Sequence, residues 1–206
     1  MITETKLDLA CGNNKRDGYA GIDIVKTDST DYVWDLQQYP WPIESESVEE
    51  INCSHYIEHI KHDNNMLELK SILASCSSFE EFKSKLVDED YNKPQDGLIK
   101  FFNELYRVLK PGGKVHIVAP YYSSIRAVGD PTHVRLIGDS TFWYVNKKWR
   151  EDNHLEHYGL MCDFEAKLSY YISNDMTLKS EEFRQNAFVH YLNAIEDIMV
   201  DLTKTK

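Results

Sequence analysis

Pairs of closely spaced cysteines are missing from this chain. Its four cysteines stand at 11, 53, 76 and 162 with no C-x-x-C among them, so neither a disulfide framework nor a cysteine-held zinc is expected. Positive charge is scarce as well: 23 lysines and arginines face 34 acidic residues, a formal net charge of -11. That balance repels polyanions at long range and disfavours phosphate-driven nucleic-acid binding. Lys147, Lys148 and Arg150 form one small basic patch against this trend. Asn-Pro-Pro-Tyr and Asp-Pro-Pro-Tyr, the signature of enzymes that methylate DNA amines, are both absent. No apolar run is long enough to span a membrane. A strand-like run begins by residue 6, leaving no room ahead of it for a signal peptide, so a cytoplasmic protein is expected. Internal repeats and low-complexity tracts are absent too.

What remains is globular in composition, with 42% hydrophobic and 12% aromatic residues, in a length suited to one domain, 1–206. Short apolar runs at 6–11, 20–25, 32–35, 48–54 and 115–119 read as strands, the third closed by Tyr39-Pro40-Trp41-Pro42. A helical stretch is expected to begin near His55. Residues 98–109 place Ile99, Phe102, Leu105, Tyr106 and Leu109 on one helical face. Lys110-Pro111-Gly112-Gly113 marks that helix's end. Residues 164–172 read as a strand and 181–202 as a closing helix. Strands alternating with helices predict an α/β fold with a mostly parallel sheet. The acidic, Ser-rich stretch 63–96 reads as a helical insertion or lid. Within it, Ser78 and Glu81 have capping-box spacing. Residues 121–160 read as the region facing an acceptor.

In such sheets ligands bind beyond the carboxyl ends of the strands. The first strand ends in Asp8, Ala10, Cys11 and Gly12, where a missing Cβ lets a ligand approach the backbone. The second ends at Asp23 and Ile24, a carboxylate suited to two ribose hydroxyls. The third ends at Asp35 and Leu36, an acceptor for an exocyclic amine beside an apolar surface for a purine. Ser54 and His55 close the fourth. A dinucleotide would need G-x-G-x-x-G opening a full helix over its pyrophosphate. Here only residues 13–19 separate Gly12 from the second strand, too few for a crossover helix yet able to reach roughly 23 Å when extended. The expected ligand has a ribose and a base but no phosphate, a description that S-adenosylmethionine fits.

Several segments together resemble the class I methyltransferases, especially the compact methyltransferase type 11-like group. Leu7-Asp8-Leu9-Ala10-Cys11-Gly12 is similar to its first motif, and Gly21-Ile22-Asp23 to its ribose-binding acidic motif. Ser54-His55-Tyr56-Ile57-Glu58-His59 resembles the segment after its fourth strand. Leu105-Tyr106-Arg107-Val108-Leu109-Lys110-Pro111-Gly112-Gly113 is similar to the run before its fifth. The resemblance covers residues 6–135 and implies a Rossmann-like methyltransferase sheet with helices on both faces and a truncated first crossover. A single glycine stands where many members have two or three, so Ala10 must tolerate the cofactor.

His55-Tyr56-Ile57-Glu58-His59 also matches H-x-x-E-H, which on a helix would put His55, His59 and His62 on one face as zinc ligands. The preferred reading has no metal: His55 faces the cofactor, while Glu58 and His59 hydrogen-bond within the strand–helix junction. Asp130-Pro131-Thr132-His133-Val134-Arg135 resembles a D-P-x-H-x-R segment after the fifth strand in some of these enzymes, many of them from phage or bacteria. There His133 is the candidate base and Arg135 a ligand for an anionic acceptor. The alternative is a loop fixed by an Asp130–Arg135 pair. Tyr121, Tyr122, Phe142, Trp143 and Tyr144 are candidates for an acceptor pocket, though aromatics this dense more often form core. The expected activity is methyl transfer to oxygen or nitrogen of an unidentified, small acceptor, by a monomer or homodimer. A non-catalytic cofactor-binding module is the second possibility and a zinc hydrolase the third.

Overall fold

A computed structural model describes residues 1–62, 74–86 and 96–205. Its centre is a seven-stranded sheet in the order β3-β2-β1-β4-β5-β7-β6. The strands are β1 (Lys6–Leu9), β2 (Ala20–Asp23), β3 (Tyr32–Val33), β4 (Val48–Ser54), β5 (Leu109–Pro120), β6 (Phe164–Ile172) and β7 (Ile195–Lys204). The helices are α1 (Phe79–Leu86), α2 (Gly97–Val108), α3 (Ile125–Gly129), α4 (Lys147–Asp152), α5 (Asn174–Thr177) and α6 (Glu181–His190). Strands β1 to β5 pair in parallel, while β7 runs antiparallel to both β5 and β6.

The expected closing helix over 181–202 is half right. A helix occupies Glu181–His190, but Ile195–Lys204 is the strand β7, inserted between β5 and β6. Apolar residues at 198, 200 and 202 carry a period-two signal, which the neighbouring helical pattern obscured. This strand supplies the antiparallel partner that the sequence left open.

Lys204 explains how the α2–β5 junction closes. Its buried Nζ donates to the Tyr106 and Leu109 carbonyls at 2.9 Å each and pairs with Glu46 at 3.2 Å. It thus satisfies carbonyls that a helix C-terminus leaves without partners. At the other end of α2, Asp96 accepts from the Leu98 N–H at 2.9 Å as its N-cap. The Pro-Gly-Gly run is drawn into β5, with Gly112 taking the left-handed turn at φ 78°. Ser78 caps α1 as its spacing predicts, accepting from the Glu81 N–H at 3.2 Å. The rest of the 63–96 insertion, and with it the lid reading, lies largely outside the described residues.

Residues 10–19 contain no helix, in line with the truncated crossover. The chain returns by two tight turns, Asn14 N–H to Cys11 O at 3.1 Å and Tyr19 N–H to Arg16 O at 3.2 Å. Asp8 holds them: its oxygens accept from the Arg16 N–H and from Asn52 Nδ2, both at 2.7 Å. Strand alternation puts Ile51, Cys53, Val115, Ile117, Val200 and Leu202 in the core with α2. The opposite face bears Glu50, Asn52, His116, Asp201 and Thr203. No crossover helix from residues 10–19 lies over that polar face, where Tyr19 bonds Glu50 and His116 bonds Asp201.

Candidate functional site

Strand order reverses between β1 and β4, the place where open α/β sheets bind ligands. Backbone strain collects there. Ala10 and Gly12 follow β1, each at φ 53°, and His55 follows β4, also at φ 53°. A left-handed alanine or histidine is uncommon outside turns under functional constraint. Gly12 has no protein atom within 4 Å of the position a Cβ would take. The backbone is open to approach on that side. Gly21 differs: a Cβ on it would lie 2.3 Å from the Ser29 carbonyl and 2.7 Å from Cys11 Sγ. Its hydrogen atom is needed for packing alone.

Asp23 stands beside the Gly12 opening and is fixed by the backbone around it. Its Oδ2 accepts from the Gly12 N–H and its Oδ1 from the Val25 N–H, both at 2.9 Å. Each carboxylate oxygen has a further lone pair, so the group is aimed without being used up. Thr27 braces the other side of the turn, donating to the Gly12 carbonyl at 2.7 Å. Asp23 is thus the residue here that could accept hydroxyl groups of a ligand approaching the open backbone at Gly12.

Three expected cofactor contacts change role. Asp8 is buried with both oxygens engaged, so it shapes the turn. Cys11 is buried, its Sγ directed at the Ser29 carbonyl, and burial pushes its thiol up against a hydrogen bond from Thr30. Leu36, only 4% exposed, belongs to the core. Asp35 keeps its expected place: Oδ1 accepts from the Gln37 N–H at 3.0 Å, and among the described residues no such bond engages Oδ2. The exposed apolar surface at this edge comes from Ile24 instead, 64% exposed directly after Asp23. Ser54 ends β4 and is half-buried; His55 follows it, its side chain 38% exposed.

The acceptor side forms where the segment after β4 meets the segment after β5. No helix carries the H-x-x-E-H motif: Ile57–His59 is a single 3-10 turn, His55 is left-handed, and His62 pairs with Asp96 at 3.0 Å. The shared helical face required by the zinc-protease reading does not exist. Glu58 is 1% exposed, and neither carboxylate oxygen accepts a hydrogen bond, contrary to the junction role expected for it. His55 Nδ1 stands 3.5 Å from Oε1, an ion-pair distance without hydrogen-bond alignment. That carboxylate raises the His55 imidazole above its ordinary value against the effect of burial, with Asp197 assisting.

The Val134 N–H donates to the Glu58 carbonyl at 2.9 Å, joining the two segments. His59 and His133 meet edge to face with ring centroids 4.6 Å apart. His133 is nearly buried; its Nδ1 lies 3.0 Å from the Ala127 carbonyl, and its Nε2 lies 4.0 Å from both Glu58 Oε1 and Asp130 Oδ2. Arg135 is not available for an anion. Its Nε donates to the Ile60 carbonyl at 2.6 Å and its Nη2 to the Lys61 carbonyl at 3.1 Å and to Asp96. Asp130 pairs with Thr132 rather than with Arg135.

Tyr121 is buried with its hydroxyl 3.2 Å from Asp139, and burial pushes that phenol up. Phe142 packs edge to face on Phe102, and Tyr144 stacks on Tyr158. These rings are core, and of the five aromatic candidates only Tyr122 and Trp143 are exposed. The basic patch is spent too: Lys147 pairs with Glu151, Lys148 with Asp152, and buried Arg150 donates to the Tyr144 and Cys162 carbonyls.

Asp197 is the residue at this edge that the sequence did not flag, because it lay in the expected closing helix. It is buried on β7, its Oδ2 accepts from Arg126 at 2.6 Å, and its Oδ1 has no partner. Burial raises its carboxyl, opposed by Arg126 and His55.

No family model matches the chain, and no curated protein matches its sequence. Solved structures do match. A SAM dependent methyltransferase from Archaeoglobus fulgidus aligns with 97% of this chain and 85% of its own, at 17% identity and TM-score 0.56. The YcgJ protein from Bacillus subtilis covers 99% and 93% at 13% identity, with TM-score 0.48. An S-adenosylmethionine dependent methyltransferase from Mesorhizobium loti covers 97% and 90% at 13% identity, with TM-score 0.45. At these identities the likeness is one of fold: the chain has the Rossmann-like methyltransferase sheet. Among the described residues no helix is long and apolar enough to cross a membrane.

Proposed function

We propose that this protein transfers a methyl group from S-adenosylmethionine to an oxygen or nitrogen of a small acceptor. The observation that carries the reading is the pairing of Gly12 with Asp23 at the β1/β4 switch point. The Gly12 N–H pins the Asp23 carboxylate beside a space that no protein atom fills. In the proposed complex the free lone pairs of Asp23 accept the ribose hydroxyls, and exposed Ile24 lies against the purine. Ala10 and Gly12 leave the backbone open to the rest of the cofactor.

Methyl transfer from a sulfonium is a direct displacement. The acceptor lone pair forms the new bond to carbon as the carbon–sulfur bond breaks and its electron pair stays on sulfur. Alignment of the nucleophile is most of the task, and an O–H or N–H acceptor must also lose a proton. We assign the preparation of that nucleophile to His133. Its Nδ1–H is committed to the Ala127 carbonyl, so the lone pair is on Nε2. His55, held at the carboxyl end of β4, lines the space between cofactor and acceptor.

The net charge of -11 and the paired lysines of α4 favour a small molecule over nucleic acid. A cytoplasmic location, and a monomer or homodimer, accord with this reading. Calorimetry with S-adenosylmethionine tests the first half, and methyl-labelled cofactor in a cell extract tests the second. Binding with label transfer is the expected result. Binding without transfer would identify a cofactor-binding module, and absence of binding would refute the reading.

A further inference from the structure

We propose that Glu58, His59 and His133 form a binding site for one divalent transition cation of the zinc class, open at one position to the acceptor. One ligand atom from each of the three lies within 4.8 Å of the other two. A tetrahedral ion with donors at about 2.0–2.2 Å needs them roughly 3.4 Å apart, so modest side-chain rotations close the set. The residues come from the 3-10 turn after β4 and the loop after β5, tied together by the Val134–Glu58 backbone bond.

Two further observations point to a ligand. The first is Glu58, buried to 1% exposure with neither oxygen hydrogen-bonded; its nearest charged partner is the partly exposed His55 imidazole, 3.5 Å from Oε1. Buried carboxylates are paired, protonated or bound to metal. The nearest His133 nitrogen, at 4.0 Å, is too far to share a proton with it directly.

The second is the outer hydrogen bonding of both histidines. His133 donates through Nδ1 to the Ala127 carbonyl, which puts its lone pair on the nitrogen facing Glu58. His59 Nδ1 meets Thr132 Oγ1 at 3.0 Å, and that hydroxyl already donates to Asp130 at 2.6 Å. His59 Nδ1 is therefore the donor there, and its own lone pair is on Nε2. A carboxylate and two imidazole lone pairs gathered without a cation are mismatched. An outer carbonyl and an outer Asp130–Thr132 relay that fix the tautomers are the usual supports of metal-bound histidine.

Three protein donors leave a tetrahedral ion one open position. An acceptor hydroxyl or amine bound there loses its proton to water more readily, and its lone pair then attacks the methyl group. This last step rests on the methyltransferase reading, and in it His133 Nε2 acts through the cation it holds rather than as a free base; cation binding itself does not rest on that reading.

The test is a cobalt(II) titration of chelator-stripped full-length protein, read by visible absorption, with zinc as competitor. One equivalent of cobalt with the intense spectrum of a tetrahedral site, and no thiolate charge-transfer band, is expected. His59→Ala and Glu58→Gln should abolish it, and Thr132→Val should weaken it roughly 10- to 100-fold through the lost relay. His62→Ala should leave it intact. Zinc should raise the melting temperature of the wild-type protein but not of His59→Ala, a comparison that stands even if Glu58→Gln fails to fold. Absence of a bound equivalent at tens of micromolar cobalt, or a spectrum unchanged in His59→Ala, would overturn the site. Cobalt bound while S-adenosylmethionine is not would retain the site and refute the methyltransferase reading. Turnover unaffected by chelation would overturn the acceptor step.

Discussion

Replacing Asp23 by alanine separates a cofactor site from an ordinary turn. In the proposed complex the carboxylate accepts ribose hydroxyls through the lone pairs left free by the Gly12 and Val25 N–H groups. Hydrogen bonds to a charged group contribute about 1.5–3 kcal/mol, so affinity for S-adenosylmethionine should fall roughly 10- to 150-fold. The substitution also removes the acceptors for two backbone N–H groups. Part of the Asp23 turn is solvated, so this second loss should be about 1 kcal/mol, a melting shift of roughly 2–4 °C in a chain this long. Calorimetry with the cofactor and with S-adenosylhomocysteine reads the first quantity, and thermal unfolding without ligand reads the second. An affinity within twofold of wild type, in a variant that melts as a folded protein, would refute this placement of the ribose.

Gly12→Ala and Gly21→Ala should fail in opposite ways. The first places a methyl group in open space at φ 53° and should cost about 1–2 kcal/mol of stability while removing most cofactor affinity. The second drives a Cβ into Ser29 and Cys11 and should destabilise by about 1–3 kcal/mol, with affinity little changed wherever the protein is folded. Paired calorimetry and denaturation decide, and equal loss of affinity in both would contradict the distinction. Arg135→Ala should destabilise by about 1–3 kcal/mol by abandoning the Ile60 and Lys61 carbonyls and Asp96. Its effect on KM for an anionic acceptor should be no larger than on a neutral one. Burial pushes the Asp96 carboxyl up, but Arg135, the Leu98 N–H and His62 together hold it below its ordinary value. Its stabilisation is thus present above the unfolded value of about 3.9 and lost as pH falls through the lower folded value. Acid denaturation of Arg135→Ala should begin at higher pH, and an unchanged midpoint would remove Asp96 from the account.

The sheet was legible wherever a residue's neighbours in sequence determine its environment. Residues 48–54 and 164–172 are strands at their expected boundaries because each alternates or runs apolar between clear breaks. Residues 195–204 were misread because Glu181–His190, shortly before them, form a true helix, and the change of period falls within one apolar pattern. Gly12 and Asp23 were legible as a site because a missing side chain and a strand-end carboxylate state their chemistry locally. Asp8, Leu36, Tyr121 and Arg135 were not. Their engagement depends on partners 8 to 75 positions away: Arg16 and Asn52 for Asp8, and Ile60, Lys61 and Asp96 for Arg135.

The same argument explains why H-x-x-E-H misled as a motif yet marked a place of interest. A helix would have set His55 and His59 on one face by spacing alone. The chain instead breaks at the left-handed His55 and makes one 3-10 turn, which turns Glu58 inward and leaves His59 beside a histidine 74 positions away. Spacing along the chain therefore finds Glu58 and His59 but misses His133. The constellation is assembled by the pairing of β4 with β5, which brings their carboxyl-end segments together. Its donors come from two loops rather than one helix, so their geometry should respond to substitutions that act between those loops. Thr132→Val, which removes no proposed ligand but breaks the relay to His59, is the substitution on which that claim turns.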